Sequence, residues 1–146
     1  MKKKIVILGS TSSIGKYLLE IIKKDKKSFQ IELITANTKY KELLRQANLF
    51  DVRNIIITDI KSYKKAKKNN QNKKINIFNS FDNLKKILPK KVDYVMSSIS
   101  GINGLTPTFA IIKHTKLIAI ANKETIICGW PLIKKELKKN KTNFIP

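Results

Sequence analysis

The sequence predicts an α/β fold, a doubly wound and mostly parallel sheet with helices on both faces, and three observations carry that reading. Short β-branched runs alternate with helical patterns. Most of the runs are apolar almost without interruption, and the first leads through a glycine-containing loop into an amphipathic helix. Near-continuous apolar runs belong to strands buried on both faces, the environment of a parallel sheet. Strands that alternate with helices then build a layered, doubly wound domain.

The strand candidates are Lys4–Leu8, Ile31–Ala36, Asn54–Ile57, Ile75–Phe78, Tyr94–Ser97 and Leu117–Ile120, with a last one at Asn143–Ile145. After the first strand, Ile14, Leu18, Ile21 and Ile22 recur at i, i+4, i+7 and i+8, the spacing of one apolar helical stripe. Leu105, Phe109 and Ile112 repeat the pattern. Trp130, Ile133 and Leu137 mark a final helix, with Pro131 expected in its first turn, where a missing N–H costs nothing. Lys64–Lys74 has almost no apolar anchors and is expected to be a frayed helix end and surface loop. No repeat and no interdomain linker interrupts residues 1–146, so one domain is expected. The terminal Asn143-Phe144-Ile145-Pro146 reads as a strand that stops as it begins, as in a fragment of a longer protein.

Composition narrows the class. At 146 residues the chain can bury one proper core, and 42% hydrophobic content is the globular norm. No run approaches the roughly 18 apolar residues of a membrane-spanning helix. The basic start, Met1 to Lys4, leads into too short an apolar stretch for a signal peptide. One cysteine, Cys128, forms no internal disulfide and fits a reducing compartment such as the cytoplasm. The net charge of +21 raises nucleic acid as a partner. Only Arg45 and Arg53 are arginines, however, and the lysines are mixed with Asn and Ile throughout, so solvated lysine faces are the preferred reading.

The loop Gly9-Ser10-Thr11-Ser12-Ser13-Ile14-Gly15 joins the first strand to the first helix. Gly9 permits the sharp turn and Gly15 lets the helix pack closely on the sheet. The helix N-terminus offers unpaired N–H groups and a positive dipole end to a pyrophosphate, and four loop hydroxyls can add hydrogen bonds. Ser12 stands where the dinucleotide fingerprint usually has its middle glycine, and its Cβ is expected to hinder the closest backbone approach. The second strand ends in Ala36-Asn37-Thr38-Lys39-Tyr40-Lys41. NAD-specific Rossmann-like folds place Asp or Glu there for the ribose 2′-hydroxyl; two lysines and no acid suit a 2′-phosphate instead, and favour NADPH.

Two further segments lie beyond the carboxyl ends of strands, where ligands collect in such sheets. They are Met96–Thr108, containing Ser97-Ser98-Ile99-Ser100-Gly101-Ile102-Asn103-Gly104, and Leu117–Glu124, which ends in Ala121-Asn122-Lys123-Glu124. On the residues alone, Asn122 and Glu124 read equally well as a helix cap with its first-turn acid and as site residues.

Together the glycine loop, the Gly101–Thr108 block and the Ala121–Glu124 block occur in an order and spacing that resembles the 1-deoxy-D-xylulose 5-phosphate reductoisomerase family, and the similarity runs the whole chain. The resemblance implies that Thr11, Ser12, Ser13 and Ile14 cradle the cofactor phosphates and that Asn37, Thr38 and Lys39 face the 2′-phosphate. It implies that Asn122 and Glu124 lie near the nicotinamide, with Lys123 reaching the substrate. The cofactor set taken forward is Gly9, Ser10, Thr11, Ser12, Ser13, Ile14, Gly15, Ala36, Asn37, Thr38, Lys39, Ser98, Asn122 and Glu124, with Lys123 and Glu124 as catalytic candidates. The family converts 1-deoxy-D-xylulose 5-phosphate to 2-C-methyl-D-erythritol 4-phosphate with NADPH and Mg2+ or Mn2+ in non-mevalonate isoprenoid biosynthesis, as a homodimer. Its Asp-Ser-Glu metal segment follows the strand that ends here at Pro146, so this chain is expected to bind cofactor without turnover and to hold no metal. His114, the single histidine, is expected at a helix end. The rival readings are a basic nucleic-acid-binding α/β module and the cofactor domain of another NADP-linked dehydrogenase.

Overall fold

The computed structural model describes residues Met1–Pro146. Seven strands form a single parallel sheet: β1 (Lys3–Leu8), β2 (Phe29–Ala36), β3 (Asn54–Ile57), β4 (Asn76–Phe78), β5 (Tyr94–Ser97), β6 (Leu117–Ile120) and β7 (Asn143–Ile145). Their order is β4-β3-β2-β1-β5-β6-β7, every neighbouring pair being parallel. The chain therefore winds outward from β1 to one edge and then returns to wind outward to the other. The reversal falls between β1 and β5, where the carboxyl ends of adjacent strands splay their loops apart and leave a crevice.

Six helices cover the sheet: α1 (Ser13–Lys23), α2 (Tyr40–Leu49), α3 (Ile60–Asn69), α4 (Leu84–Ile87), α5 (Leu105–Ile111) and α6 (Lys123–Lys139). The unbroken apolar runs feed two cores. In β1, Ile5 and Ile7 face one layer with Leu19 and Ile22 of α1, Leu43 and Ala47 of α2, and Ala66 of α3. Val6 and Leu8 face the other, with Leu84 and Ile87 of α4, Ile111 of α5, and Ile133 and Leu137 of α6. At about 2 kcal/mol for each fully buried aliphatic side chain, this two-sided burial is what selects a parallel sheet from such runs. Edge strand β7 adds Phe144, whose ring stacks at a tilt on Trp130, 5.2 Å between centroids.

The helix faces depart from the sequence stripes. In α1 the buried residues are Gly15, Leu19 and Ile22, while Ile14 and Ile21 remain 44% and 47% exposed. Gly15 sets this rotation: a Cβ there would lie 2.5 Å from Gly9 O and 2.6 Å from Ser10 Cα, so only hydrogen fits, and the face that contacts the sheet runs i, i+4, i+7 from that glycine. In α5 the buried face holds Pro107, Thr108 and Ile111, and Phe109 points outward. Pro131 is not in a first turn. The last helix begins at Lys123 and carries Pro131 in its interior, on a face where Ile127 and Leu132 are also exposed, so solvent can satisfy the carbonyl left without a donor.

Lys64–Lys74 is also better organised than its composition predicts. Helix α3 continues to Asn69 and buries Ala66 completely. The following turn is built by asparagines: Asn72 N donates to Asn70 Oδ1 (3.1 Å), Lys74 N to Asn72 Oδ1 (3.0 Å), and Asn72 Nδ2 to Asn48 Oδ1 on α2 (2.8 Å). Side-chain amides replace the missing apolar anchors by bonding the turn's own backbone.

Candidate functional site

The site forms where β1 hands over to α1. Gly9 turns the chain at φ +78°, and a Cβ there would lie 2.9 Å from Ser98 O, so the backbones of the β1 and β5 tips touch only because residue 9 is glycine. Its N–H donates to Thr35 Oγ1 at 2.9 Å, and Ser10 N donates to Thr35 O at 3.0 Å. The loop is thus anchored to β2 on one side and to β5 on the other before any ligand is considered.

The loop hydroxyls divide into two sets. Ser10 is fully buried and its Oγ donates to Gln46 Oε1 at 2.7 Å, while Gln46 Nε2 returns a bond to Ser10 O at 3.1 Å. That hydroxyl faces α2, away from the crevice. Ser12 has an ordinary extended backbone, φ −73° and ψ 166°, so a serine replaces the usual glycine without strain. Its Oγ donates to Gly9 O (2.7 Å), accepts from Gly15 N (3.1 Å) and so caps α1, and lies 3.2 Å from Ser98 Oγ. Thr11 and Ser13 remain open to the crevice, and the amides of Ser13 and Ile14 have no partner in the chain. Two unpaired N–H groups at the positive end of an eleven-residue helix make a preformed anion seat.

From this seat the crevice extends both ways. One chamber, about 650 Å3, is lined by Gly9, Thr11, Ala36, Asn37, Lys39 and Asp59 among others. The other, about 420 Å3, is lined by Ser13, Ile14, Gly101, Asn122, Lys123 and Glu124 among others. Ser12, Ser98, Ile99 and Ser100 line both, so the chambers are two arms of one groove meeting over the N-terminus of α1. Thr38 lies outside the lining, exposed, and Gly15 is buried beneath it. Ser98 is buried, with its Oγ donating to Leu8 O at 2.8 Å, so it clamps the β1 and β5 tips together.

Asn122 caps the last helix and also bonds the neighbouring loop. Its Oδ1 accepts from Thr125 N at 3.2 Å and caps α6, while its Nδ2 donates to Ile99 O and to Gly101 O (2.5 Å). The buried amide is therefore a latch between the loops that follow β5 and β6. The Gly-x-x-Gly spacing has its reason in this latch. Gly101 turns at φ +74°, and a Cβ on Gly104 would stand 2.6 Å from Asn122 Nδ2 and 2.8 Å from Ile99 O. The consecutive Lys123 and Glu124 side chains are exposed at the mouth of the same arm.

Sequence reasoning missed Thr35, Gln46 and Asp59. Thr35 and Gln46 were detectable as polar residues inside otherwise buried faces. Asp59 caps α3, with Oδ2 accepting from Ser62 N (2.9 Å) and Ser62 Oγ (2.7 Å), and these bonds hold its carboxyl below the usual carboxylate value. It enters the first chamber because β3 neighbours β2 in the sheet, which brings an acid beside a β2 tip that has none of its own. No three His, Cys, Asp or Glu side chains converge on a metal position, and no helix is long and apolar enough to cross a membrane. Cys128 is exposed on α6, and His114 is buried at the end of a short 3-10 turn, Ile112–His114.

Comparison with known proteins gives the family and agrees with the fold. The family model of 1-deoxy-D-xylulose 5-phosphate reductoisomerase matches residues 5–129. The reductoisomerase of Pelagibacter ubique is 58% identical over 99% of this chain and 38% of its own length; that of Wolbachia pipientis wMel is 35% identical over 99% and 37%. The chain thus spans well under half the length of the curated relatives it matches. Among solved structures, the Zymomonas mobilis reductoisomerase in complex with NADPH superposes with a TM-score of 0.90 at 27% identity, covering 100% of this chain and 38% of that one. A reductoisomerase complex with NADPH, fosmidomycin and magnesium superposes at 0.88 and 28% identity, covering 99% and 36%. Homoserine dehydrogenase from Thermoplasma acidophilum, at 14% identity and TM-score 0.54 over 99% of this chain and 42% of that one, shares the fold.

Proposed function

The chain belongs to the 1-deoxy-D-xylulose 5-phosphate reductoisomerase family, and from that premise we propose that residues 1–146 form its NADPH-binding domain. One observation carries the reading. The two-armed groove has unpaired amides at Ser13 and Ile14 at its centre, with an acid-free β2 tip at one end and Lys123 with Glu124 at the other. Thr11, Ser13 and the Ser13 and Ile14 amides hold the pyrophosphate. Ser12 shapes the seat by capping α1 and bridging to Ser98. Ala36, Asn37, Lys39 and the neighbouring Thr38 take the 2′-phosphorylated ribose. Gly9, Ser10 and Gly15 act through the backbone geometry of the loop.

NADPH, when bound, supplies the hydride of the reduction. The residues of this chain position it: the Asn122 latch holds the Ile99–Gly101 wall, and the exposed Lys123 and Glu124 present an ammonium and a carboxylate to whatever occupies the mouth of that arm. Lys123 is the group that meets an anionic substrate oxygen, and Glu124 orients the ring and accepts or returns a proton. The full-length protein is proposed to convert 1-deoxy-D-xylulose 5-phosphate to 2-C-methyl-D-erythritol 4-phosphate in the bacterial cytoplasm, as a homodimer. No three His, Cys, Asp or Glu side chains of this chain converge, and the Mg2+ or Mn2+ chemistry of the family is assigned to the remainder of the enzyme. The test is direct. NADPH raises the melting temperature of the chain more than NADH does, and the chain with NADPH and Mg2+ turns over no substrate. Absence of an NADPH shift overturns the binding, a larger NADH shift overturns the 2′-phosphate assignment, and turnover overturns the division of labour.

A further inference from the structure

We propose that the face formed by the amino ends of the seven strands, opposite the crevice, binds the phosphate backbone of duplex nucleic acid without reading its sequence. Along the chain the lysines are mixed with other residues, but in space they are sorted. The segments that lead into the seven strands hold twelve Lys or Arg and three Asp, and all twelve cations are exposed. The segments that leave the strands hold one Lys and two Asp. Every helix-to-strand connection contributes: Lys27 before β2, Arg53 before β3, Lys73 before β4, Lys90 before β5, Lys113 before β6 and Lys141 before β7. In a parallel sheet these connections all lie at one end, so the net charge of +21 is concentrated there.

Helix dipoles account for part of this pattern. Lys23, Lys67, Lys68, Lys138 and Lys139 sit in last helical turns, where a cation is favoured in any protein. That benefit fades beyond the last turn and does not explain the cations of the connections themselves. Nor does the chain neutralise them: of the twelve, only Lys116 has an acid within ion-pair reach, Asp93 at 3.2 Å. Six strand spacings of about 4.8 Å make a basic stripe about 30 Å long, close to the roughly 34 Å turn of duplex DNA. Other anionic surfaces fit less well. The only large hydrophobic side chain exposed on these segments is Met1, too little to enter a bilayer. Their one aromatic residue, Phe50, is half-buried beneath Lys26, whose Nζ is 5.2 Å from the ring centroid, so no platform stacks single-stranded bases. A single arginine, Arg53, gives little means of reading base edges. The six residues of β1 put this face about 20 Å from the glycine loop, so it works independently of the cofactor reading.

The experiment follows fluorescence anisotropy of a labelled DNA duplex of about 20 base pairs, titrated with the chain from about 50 to 200 mM NaCl. The expected result is tight binding at low salt, equal for unrelated sequences, with a log–log salt slope of about −4 or steeper, the release expected from five or so phosphate contacts. Combining Lys27→Gln, Lys73→Gln, Lys90→Gln and Lys113→Gln removes four charges from the face. That variant loses tenfold or more in affinity at about 0.1 M salt, and its slope becomes shallower by about 3. A control removes four charges from the exposed sides of α2 and α3 instead, by Arg45→Gln, Lys61→Gln, Lys64→Gln and Lys65→Gln, and stays within about threefold of the parent. Both variants keep the parent's far-ultraviolet spectrum, and saturating NADPH leaves duplex binding unchanged. Absence of salt-dependent binding overturns the proposal. So do equal losses in the two variants, which make net charge rather than this face responsible. Displacement of the duplex by NADPH overturns it as well, since the backbone then occupies the crevice. Binding to phosphatidylserine vesicles without binding to the duplex gives the face to a membrane surface and also refutes the assignment.

Discussion

Replacing Asn122 by aspartate changes one NH2 group for one oxygen and tests the latch directly. The cap survives, because either residue accepts from Thr125 N, now 3.2 Å from Oδ1. What is lost is the donor: Ile99 O and Gly101 O both receive Nδ2 hydrogens, and the side chain that gives them is only 5% exposed. Two net hydrogen bonds are worth about 1 kcal/mol each, and turning a buried carboxylate toward two carbonyls adds at least one or two more, roughly 3–4 kcal/mol in all. For a domain of this size that lowers the melting temperature by about 10 °C. Asn122→Ala loses the cap and both bonds without the repulsion and is expected to cost about 3 kcal/mol. The aspartate variant has a second signature. Protonation of the introduced acid restores a donor, so its deficit relative to the parent shrinks from pH 7.5 to pH 5, whereas that of the alanine variant does not. Urea melts at the two pH values supply the assay. Melting temperatures within a degree of the parent for both variants, with NADPH affinity reduced, would refute the latch and make Asn122 a direct cofactor contact.

Three other outcomes are expected. Gly15→Ala sets roughly 1 kcal/mol of improved helix propensity against a Cβ placed 2.5 Å from Gly9 O and 2.6 Å from Ser10 Cα, both backbone; the net effect is a loss of about 2–3 kcal/mol in urea denaturation together with weaker NADPH binding. Ser12→Gly releases the Gly15 amide to the cofactor, so NADPH binds about threefold to tenfold tighter by titration, while Ser12→Ala loses about 1 kcal/mol of capping, read as a lower urea midpoint. Burial, aided by neighbouring Lys113 and opposed by a hydrogen bond that the ring donates to the Leu88 backbone carbonyl, holds the His114 imidazole below its ordinary value of 6.5. The unfolded chain then binds the extra proton first, so stability present above pH 6.5 declines as pH falls below it; His114→Gln flattens the chemical-denaturation profile between pH 6.5 and 5.

The strands of the sheet were legible because their signal is local and redundant. Most runs from Lys4–Leu8 to Leu117–Ile120 carry enough consecutive β-branched and aliphatic residues to be buried on two faces, the environment of a parallel sheet. The site was legible where glycine is sterically required: Gly9, Gly15, Gly101 and Gly104 each stand where a Cβ meets backbone or a left-handed turn, or, at Gly104, the Asn122 amide. Helix faces were less so. The stripe of Ile14, Leu18, Ile21 and Ile22 is a genuine apolar pattern, but Gly15 decides which side of α1 meets the sheet, and a glycine carries no weight in a hydrophobic count.

By itself the amino-acid sequence determined the parallel α/β architecture, the glycine loop that opens α1, and the family to which the three motif blocks belong. Only the tertiary structure decided what each polar side chain in those blocks does. Ser10 and Ser12 stand two positions apart in the same loop, yet one is bonded to Gln46 behind the loop and the other caps α1 at the crevice. Asn122 joins two loops, and Asp59 lines the chamber beside the β2 tip only because β3 lies beside β2. The physical reason is the same in each case: apolar patterning is summed along the chain, whereas a hydroxyl, amide or carboxylate is committed by whichever partner the fold brings within about 3 Å of it.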